Sequence, residues 1–397
     1  EQDYIYLMSS LALAESKPVL YTDHPGTTLQ ILGAATLKIT HALDFNDKDS
    51  LKFSVLKHPE FYLTAINIVL VAFNVLLLFI IGLVTFHVTK SMGLGLLLQF
   101  SPFLSNIPLR WGLNQVSCEP LLMFASLFLM LILVKMVFSE NLSKSAPWYM
   151  IALAFVSGFG IATKVTFIPL LIIPLFALPM LRHKMGFLLL TGMSTVLWTW
   201  PAHSQYERIL QRLYLILTHT GWYGVGPALS INPVALQDNI QNLLSGLLTN
   251  PLFLLLFFFI PCIILILHWF SKKRGMVWQD TSFRLLVAII TVQICTILIV
   301  ARQSAERYAL PVLCFSGFLL LLLFILFQKH NYRRRFDAKK ITFFFVMLFI
   351  CLSAWRVFEF TKLFNELMLI KNDSLAYYPE AEKKYKNYLQ IFVNAQP

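Results

Sequence analysis

Charge is what this sequence has least of. Asp, Glu, Lys and Arg together make up 13% of its 397 residues, about half the share that a water-soluble domain uses to cover its surface. That shortage excludes an ordinary soluble globular protein. Acidic residues are scarcer than basic ones, 20 against 32. The five cysteines (Cys118, Cys262, Cys295, Cys314 and Cys351) stand singly in or beside apolar segments, which excludes a disulfide framework or a zinc-ligand pattern and leaves them as small packing residues. There is no low-complexity tract, no soluble-domain boundary, and no internal repeat of the kind that builds inverted-repeat transporters.

Apolar length is what the sequence has in abundance. Hydrophobic residues reach 57% and mean hydropathy is positive. Runs of about 20 apolar residues, each able to cross a bilayer core as a helix, recur almost from end to end. The fold class expected is all-α, a polytopic helical membrane protein with about ten spans at 63–86, 92–109, 119–138, 147–163, 165–181, 185–201, 247–270, 284–301, 309–328 and 341–358. The division is a first loop with short helices (1–62), a membrane domain (63–358) and a short tail (359–397).

Alternating the loops across the membrane collects 15 of the 32 basic residues on one side, in short connections such as Lys329, Arg333, Arg334 and Arg335. Positive residues in short loops mark the cytoplasmic side. The formal net charge of +12 therefore reads as an orientation signal, and nucleic acid is not an expected partner. The first loop, the turn 110–118, the turn at Lys164, the loop 202–246, the turn 302–308 and the tail fall on the opposite, non-cytoplasmic face. The sequence opens on polar Glu1-Gln2-Asp3-Tyr4 with no span before it, and a first span upstream is expected.

On that face a few ionisable groups stand out, because charge at membrane level is costly and is kept for a purpose. Asp3 and Glu1 are candidate general bases able to take a proton from an attacking hydroxyl; solvated carboxylates on an exposed helix are the alternative. Thr22-Asp23-His24-Pro25-Gly26 is a stiff polar turn able to aim the Asp23 carboxylate or the His24 imidazole at a substrate. Its plainer reading is a loop in which Asp23 caps a helix and Pro25 occupies the first turn. One His and one Asp do not make a metal site; a divalent metal stays open and no cofactor is assigned.

Glu119 begins a span, followed by Pro120, and is either a substrate-site carboxylate or a favourable charge at a helix N-terminus. Lys164 interrupts two apolar runs in Gly160-Ile161-Ala162-Thr163-Lys164, so its ammonium either snorkels or meets an anion such as a lipid phosphate. Arg302-Gln303-Ser304-Ala305-Glu306-Arg307-Tyr308 joins two spans with almost no loop. The guanidiniums of Arg302 and Arg307 suit a two-pronged grip on phosphate, with Tyr308 beside them; an Arg302–Glu306 pair one turn apart is the structural alternative.

Taken in order along the chain, these segments resemble the GT-C superfamily of membrane glycosyltransferases, closest to the group of protein O-mannosyltransferases and aminoarabinose transferases (glycosyltransferase families 39 and 83). Glu1-Gln2-Asp3-Tyr4 resembles the Asp-Glu-x-x-Tyr-like start of that group's first outer loop, with its leading Asp either just upstream or at Asp3 itself. Asp23-His24-Pro25-Gly26 resembles the His-Pro-Pro or Lys-Pro-Pro turn, with one proline in place of two. Gly160 to Lys164 is similar to the Gly-x-x-x-(Thr)-Lys stretch, and Glu306-Arg307-Tyr308-Ala309-Leu310-Pro311 to the Arg-Tyr-x-x-Pro segment.

The resemblance implies an inverting transfer of a sugar from a polyprenyl- or dolichyl-phosphate donor to a lipid, glycan or protein acceptor. An Asp is then the base, and Lys164, Arg302 and Arg307 hold the donor phosphate. It implies a multi-pass protein of a bacterial inner membrane with a periplasmic active face. A transporter or lipid flippase is the main rival. It would carry charge at the bilayer midplane, whereas here charge gathers at one face. A scaffold subunit would need none of these charges.

Overall fold

The structure is a computed structural model. It describes residues 2–19, 21–22, 25–44, 48–113, 115–219, 280–303 and 306–330, with isolated positions beyond them. The chain divides into two compact units, Glu1–Met347 and Leu348–Pro397, and all the continuous described segments lie in the first. It is all-helical. Among the described residues the single pairing of extended backbone is an antiparallel bridge between Pro25 and Lys164.

The helices are α1 (Gln2–Ala14), α2 (Thr27–Leu43), α3 (Leu51–Lys57), α4 (Pro59–Thr89), α5 (Met92–Phe100), α6 (Asn106–Gly112), α7 (Cys118–Val137), α8 (Leu142–Thr163), α9 (Ile172–Ala177), α10 (Leu181–Thr199) and α11 (Tyr206–Thr218). Beyond residues 220–279 come α12 (Thr281–Gln303), α13 (Leu310–Leu313) and α14 (Ser316–His330). Among the described residues, five stretches are long and apolar enough to cross a membrane: Pro59–Thr89, Cys118–Val137, Leu142–Thr163, Thr281–Ile299 and Arg307–Leu326. They correspond to five of the ten expected spans. The spans expected at 247–270 and 341–358 lie outside the described residues.

The remaining three expected spans take a different form. Segment 92–109 is broken, because Pro102 turns the chain into a 3-10 turn after Phe100 and the Ser105 hydroxyl starts α6 afresh by accepting from the Ile107 N–H at 3.2 Å. Segment 165–181 is a 3-10 stretch, Val165–Leu171, containing Pro169 and followed by the short α9. Helix α10 has 19 residues, but Arg182, His183 and Lys184 in its first turn keep it out of the strongly apolar set.

Contacts fix the directions of these pieces. Between α8 and α10, Gly158 abuts Ser194 and Gly186 abuts Met150, so the two helices run parallel. Segment 165–177 must then return across the bundle, and seven 3-10 residues plus six α residues give a reach of about 23 Å. Helices α7 and α8 run antiparallel, with Phe124 on Phe159 and the Tyr149 hydroxyl donating to the Lys135 carbonyl. Helix α5 runs antiparallel to α4, with Gly82 against Gln99 and Gly95 against Phe86, and α4 meets α7 where Phe73 packs on Phe124 and the Asn74 amide donates to the Pro120 carbonyl at 3.1 Å.

That last contact sets the level of the parts. Asn74 lies halfway along the 31 residues of α4 and meets the very start of α7, so α4 projects about 22 Å past it. The projecting half is clothed by α1, α2 and α3 in one apolar cluster that includes Tyr6, Leu29, Val55, Tyr62 and Ile66. The first loop is thus a helical cap seated on the bundle. Gly33 lets α1 and α2 touch closely: a Cβ there would fall 2.2 Å from the Ser10 hydroxyl. Large apolar side chains remain exposed along α4 and α10, among them Ile68, Phe79, Leu189 and Leu197. On a membrane protein such rows face lipid acyl chains.

Candidate functional site

The cap meets the bundle at a buried polar knot. Glu119 lies in the first turn of α7, after Ser117 as N-cap and before Pro120. Lys164 ends α8 because its backbone is extended (φ −162°, ψ 135°) and bridges Pro25. The antiparallel register of α7 and α8 brings the two side chains together. Lys164 Nζ donates to Glu119 Oε1 at 2.7 Å, with both side chains 3% exposed. Such a pair is tolerated only when each charge has its partner, since removing either strands the other in a medium of low polarity.

Arg307 joins from the short turn between α12 and α13. Its Nε lies 3.7 Å from the same Glu119 oxygen, and its Nη1 donates to Gln2 Oε1 at 3.2 Å. The guanidinium carbon sits 5.3 Å from the Trp111 ring centroid and 5.7 Å from that of Tyr308, while Lys164 Nζ sits 4.7 Å from the Tyr308 ring. One carboxylate and two aromatic faces therefore hold two cations close together, using both charge and ring quadrupoles. Arg307 is the more open cation, its side chain 14% exposed.

The turn leading into α2 is tied down beside them. Gly26 adopts a left-handed backbone (φ 70°), and a Cβ there would press within 3.1 Å of the Tyr6 ring, so only glycine fits. Gly26 is also the residue that caps α2, without a side-chain bond. The helix therefore begins at Thr27, two residues later than a first-turn Pro25 would require, and its N-cap position is taken by the left-handed Gly26. The Thr28 and Thr163 hydroxyls share a hydrogen bond of 2.7 Å. On the other side of the knot the Tyr6 hydroxyl and the Cys118 thiol lie 3.0 Å apart. Burial, reinforced by the neighbouring Cys118, pushes the Tyr6 phenol well above its ordinary range.

Asp3 follows Gln2 at the start of α1. Its carboxylate is half-buried, and burial raises its pKa above the ordinary value. The Val116 backbone N–H, which donates to it, pulls the other way. The neighbouring Tyr4 hydroxyl donates to Glu60 at the start of α4.

Of the residues singled out in the sequence, Glu119, Lys164, Arg307 and Tyr308 converge in this knot, and Asp3 stands next to the residue that touches Arg307. Glu1, Asp23 and His24 lie outside the described residues. Arg302 belongs to the last turn of α12, and its side chain is likewise outside them, as is the proposed Arg302–Glu306 pairing. Among the described residues no three His, Cys, Asp or Glu side chains gather as metal ligands would. The residues that sequence reasoning passed over are Gln2, Trp111 and the Thr28–Thr163 pair. Trp111 could have been found from its place beside Arg110 and near Glu119 at a helix end; Gln2 carries no signal of its own. No protein-family model, curated protein or solved structure matches the chain.

Proposed function

We propose that this protein is a membrane glycosyltransferase of the GT-C type, moving a sugar from a polyprenyl- or dolichyl-phosphate donor to an acceptor hydroxyl on the non-cytoplasmic face of a bacterial inner membrane. One observation supports the reading most. Two cations, Lys164 and Arg307, share the Glu119 carboxylate at a helix-end site, and Arg307 is hydrogen-bonded to the residue preceding a half-buried carboxylate, Asp3. A base and a phosphate-binding cation within one site are the two groups that an inverting transfer requires.

In that reaction the acceptor oxygen attacks the anomeric carbon, the bond from that carbon to the phosphate oxygen breaks, and the electron pair leaves with the lipid phosphate. The acceptor proton passes to Asp3. A carboxyl with a raised pKa is the better base at neutral pH, provided it remains ionised. The fixed positive charge of Arg307, with Lys164 behind it, stabilises the charge developing on the leaving phosphate without having to reorganise. Lys164 would reach the ligand only by loosening its hold on Glu119, so the reading assigns direct contact to Arg307 and a supporting field to Lys164. Glu1 is an alternative base, and Asp23, His24 and Arg302 are further contributors in this proposal.

The complete protein, reconstituted with isotope-labelled lipid-phosphate sugars, should yield a product carrying the label by mass spectrometry. Arg307→Lys keeps the charge and loses the planar fork, so catalytic efficiency should fall about ten- to a hundredfold, and Arg307→Ala should lose more. Arg307→Ala that lowers only the melting temperature and leaves efficiency untouched would remove the phosphate role.

A further inference from the structure

We propose that α11 is an interfacial helix, docked on the surface of the lipid bilayer at the same end of the bundle as the polar knot. The helix follows α10 through the 3-10 stretch Trp200–Gln205. Its start is folded back on α10, because the Tyr206 hydroxyl meets the Thr199 hydroxyl at 3.0 Å and donates to the Val196 carbonyl. At 100° per residue, Ile209 and Leu213 form a ridge that packs against Val19, Ala202 and Leu13 of the protein. On one flank of that ridge lie Leu210 and Tyr214, one turn apart and 65% and 62% exposed. The far side carries Glu207, Arg208 and Gln211, all exposed.

A helix with one apolar edge on the protein, a second apolar edge open beside it and a polar side opposite the buried ridge, with Glu207 bordering the open edge and Arg208 turned about 140° from its centre, has the pattern of a helix lying in a membrane interface. The open edge also continues an exposed apolar row on α10, the kind of surface that faces acyl chains in a membrane protein. The exposed row on α10 runs through Met193 and Leu197 to Trp200, which is 61% exposed and stacked on His203. An indole at the end of such a row belongs at headgroup level, and α11 begins there. Continuity with this row is what selects a bilayer, rather than a protein, as the covering partner.

The docking has a consequence for the knot. Gln205, at the head of α11, donates to the Val19 carbonyl and accepts from the Thr22 hydroxyl, while Ile209 packs on Val19. Val19 and Thr22 of the cap are thus fastened to the interfacial helix, Thr22 three residues before the Pro25–Lys164 bridge. Lipid contact at α11 steadies the turn that borders Lys164. None of this depends on the glycosyltransferase reading.

The test uses the full chain in lipid nanodiscs, footprinted in parallel by water-borne hydroxyl radicals and by a carbene precursor dissolved in the lipid. A tyrosine and a leucine left in water at these exposures oxidise readily. Under the proposal, Leu210 and Tyr214 should be oxidised about tenfold less than tyrosines in water-facing peptides, because the acyl boundary covers them, and the lipid-borne carbene should label both. Heavy oxidation at Tyr214 overturns the proposal by returning this edge to water. Protection from both reagents also overturns it, since it means that protein, such as a second copy, covers the edge.

Discussion

The middle of α8 and its C-terminal end join their neighbours by opposite means. In the middle, Gly158 faces α10 so closely that a Cβ would come 2.4 Å from Ser194 Cβ and 2.7 Å from the Thr195 backbone nitrogen. At the end, Lys164 reaches Glu119 of α7 through a buried ion pair of 2.7 Å. Lipid tails are as apolar as leucine, so helices within the bilayer gain nothing from hydrophobic burial against each other and rely on close packing of small residues. The knot has no such freedom of composition, because each charge must match another. The middle should therefore forgive changes of polarity that preserve size, and the end should forgive changes of size that preserve charge.

The largest effect expected from this contrast is at Glu119. Glu119→Gln leaves Lys164 and Arg307 side by side without their shared carboxylate. Breaking a buried pair by removing one partner costs roughly 3–5 kcal/mol, enough to deplete folded protein in a thermal melt. Glu119→Leu combined with Lys164→Met should recover most of that loss, because apolar groups of similar volume often replace a buried pair without penalty. If the double variant is no more stable than Glu119→Gln, the knot is not held by this pair. If it regains stability and also keeps full transfer activity, Lys164 has no part in the chemistry.

Asp3 gives the next effect, and stability and turnover should move in opposite directions. Asp3→Asn removes the candidate base, and general-base removal typically lowers rate about 10²–10⁴-fold. Because burial raises its pKa, Asp3 in the fold resists ionisation, and its favourable contribution to stability is present below the unfolded carboxylate pKa of about 3.9 and is lost as pH rises through the higher folded value. The variant should therefore match the parent in acid and equal or exceed its melting temperature near neutral pH. The acid limb of the rate profile should lie above the ordinary carboxylate range. A variant that melts lower at neutral pH with unchanged turnover would make Asp3 a structural residue.

The two regions also differ in how far the sequence announces them. Helix composition and the five strongest spans follow from apolar length, as at Pro59–Thr89, because lipid imposes that length directly. The shorter apolar segment 165–177 is apolar enough to be noticed and its Pro169 is in plain view, but the 3-10 winding that alters its reach appears only in three dimensions. In the knot, scarcity of charge pointed to Glu119, Lys164 and Arg307, since each is expensive where it stands. Scarcity could not tell that Lys164 answers to Glu119, because a register between α7 and α8 is a property of packing. Gln2 was illegible for the same reason: a glutamine near a chain segment's start means nothing until Arg307 is beside it. The cap on the first half of α4 was hidden too, since its apolar residues continue the run that crosses the membrane.

The smallest effects sharpen the comparison by changing one methyl group at two glycines of the packed middle. Gly158→Ala drives a methyl into Ser194 and the α10 backbone, and since backbone cannot rotate away, the helices must separate; overpacking of this kind typically costs 1–3 kcal/mol. Gly192, on α10 itself, has no heavy atom within 4 Å of its would-be Cβ. Gly192→Ala should be neutral or gain up to about 1 kcal/mol, from the lower backbone entropy of alanine in a helix. The two substitutions are chemically identical, lie on partner helices, and should shift the melting temperature in opposite directions in the same detergent. Equal shifts would mean that close approach at Gly158 does not hold α8 to α10. In that case charge at the end of α8, not small size in its middle, would be what joins it to the bundle.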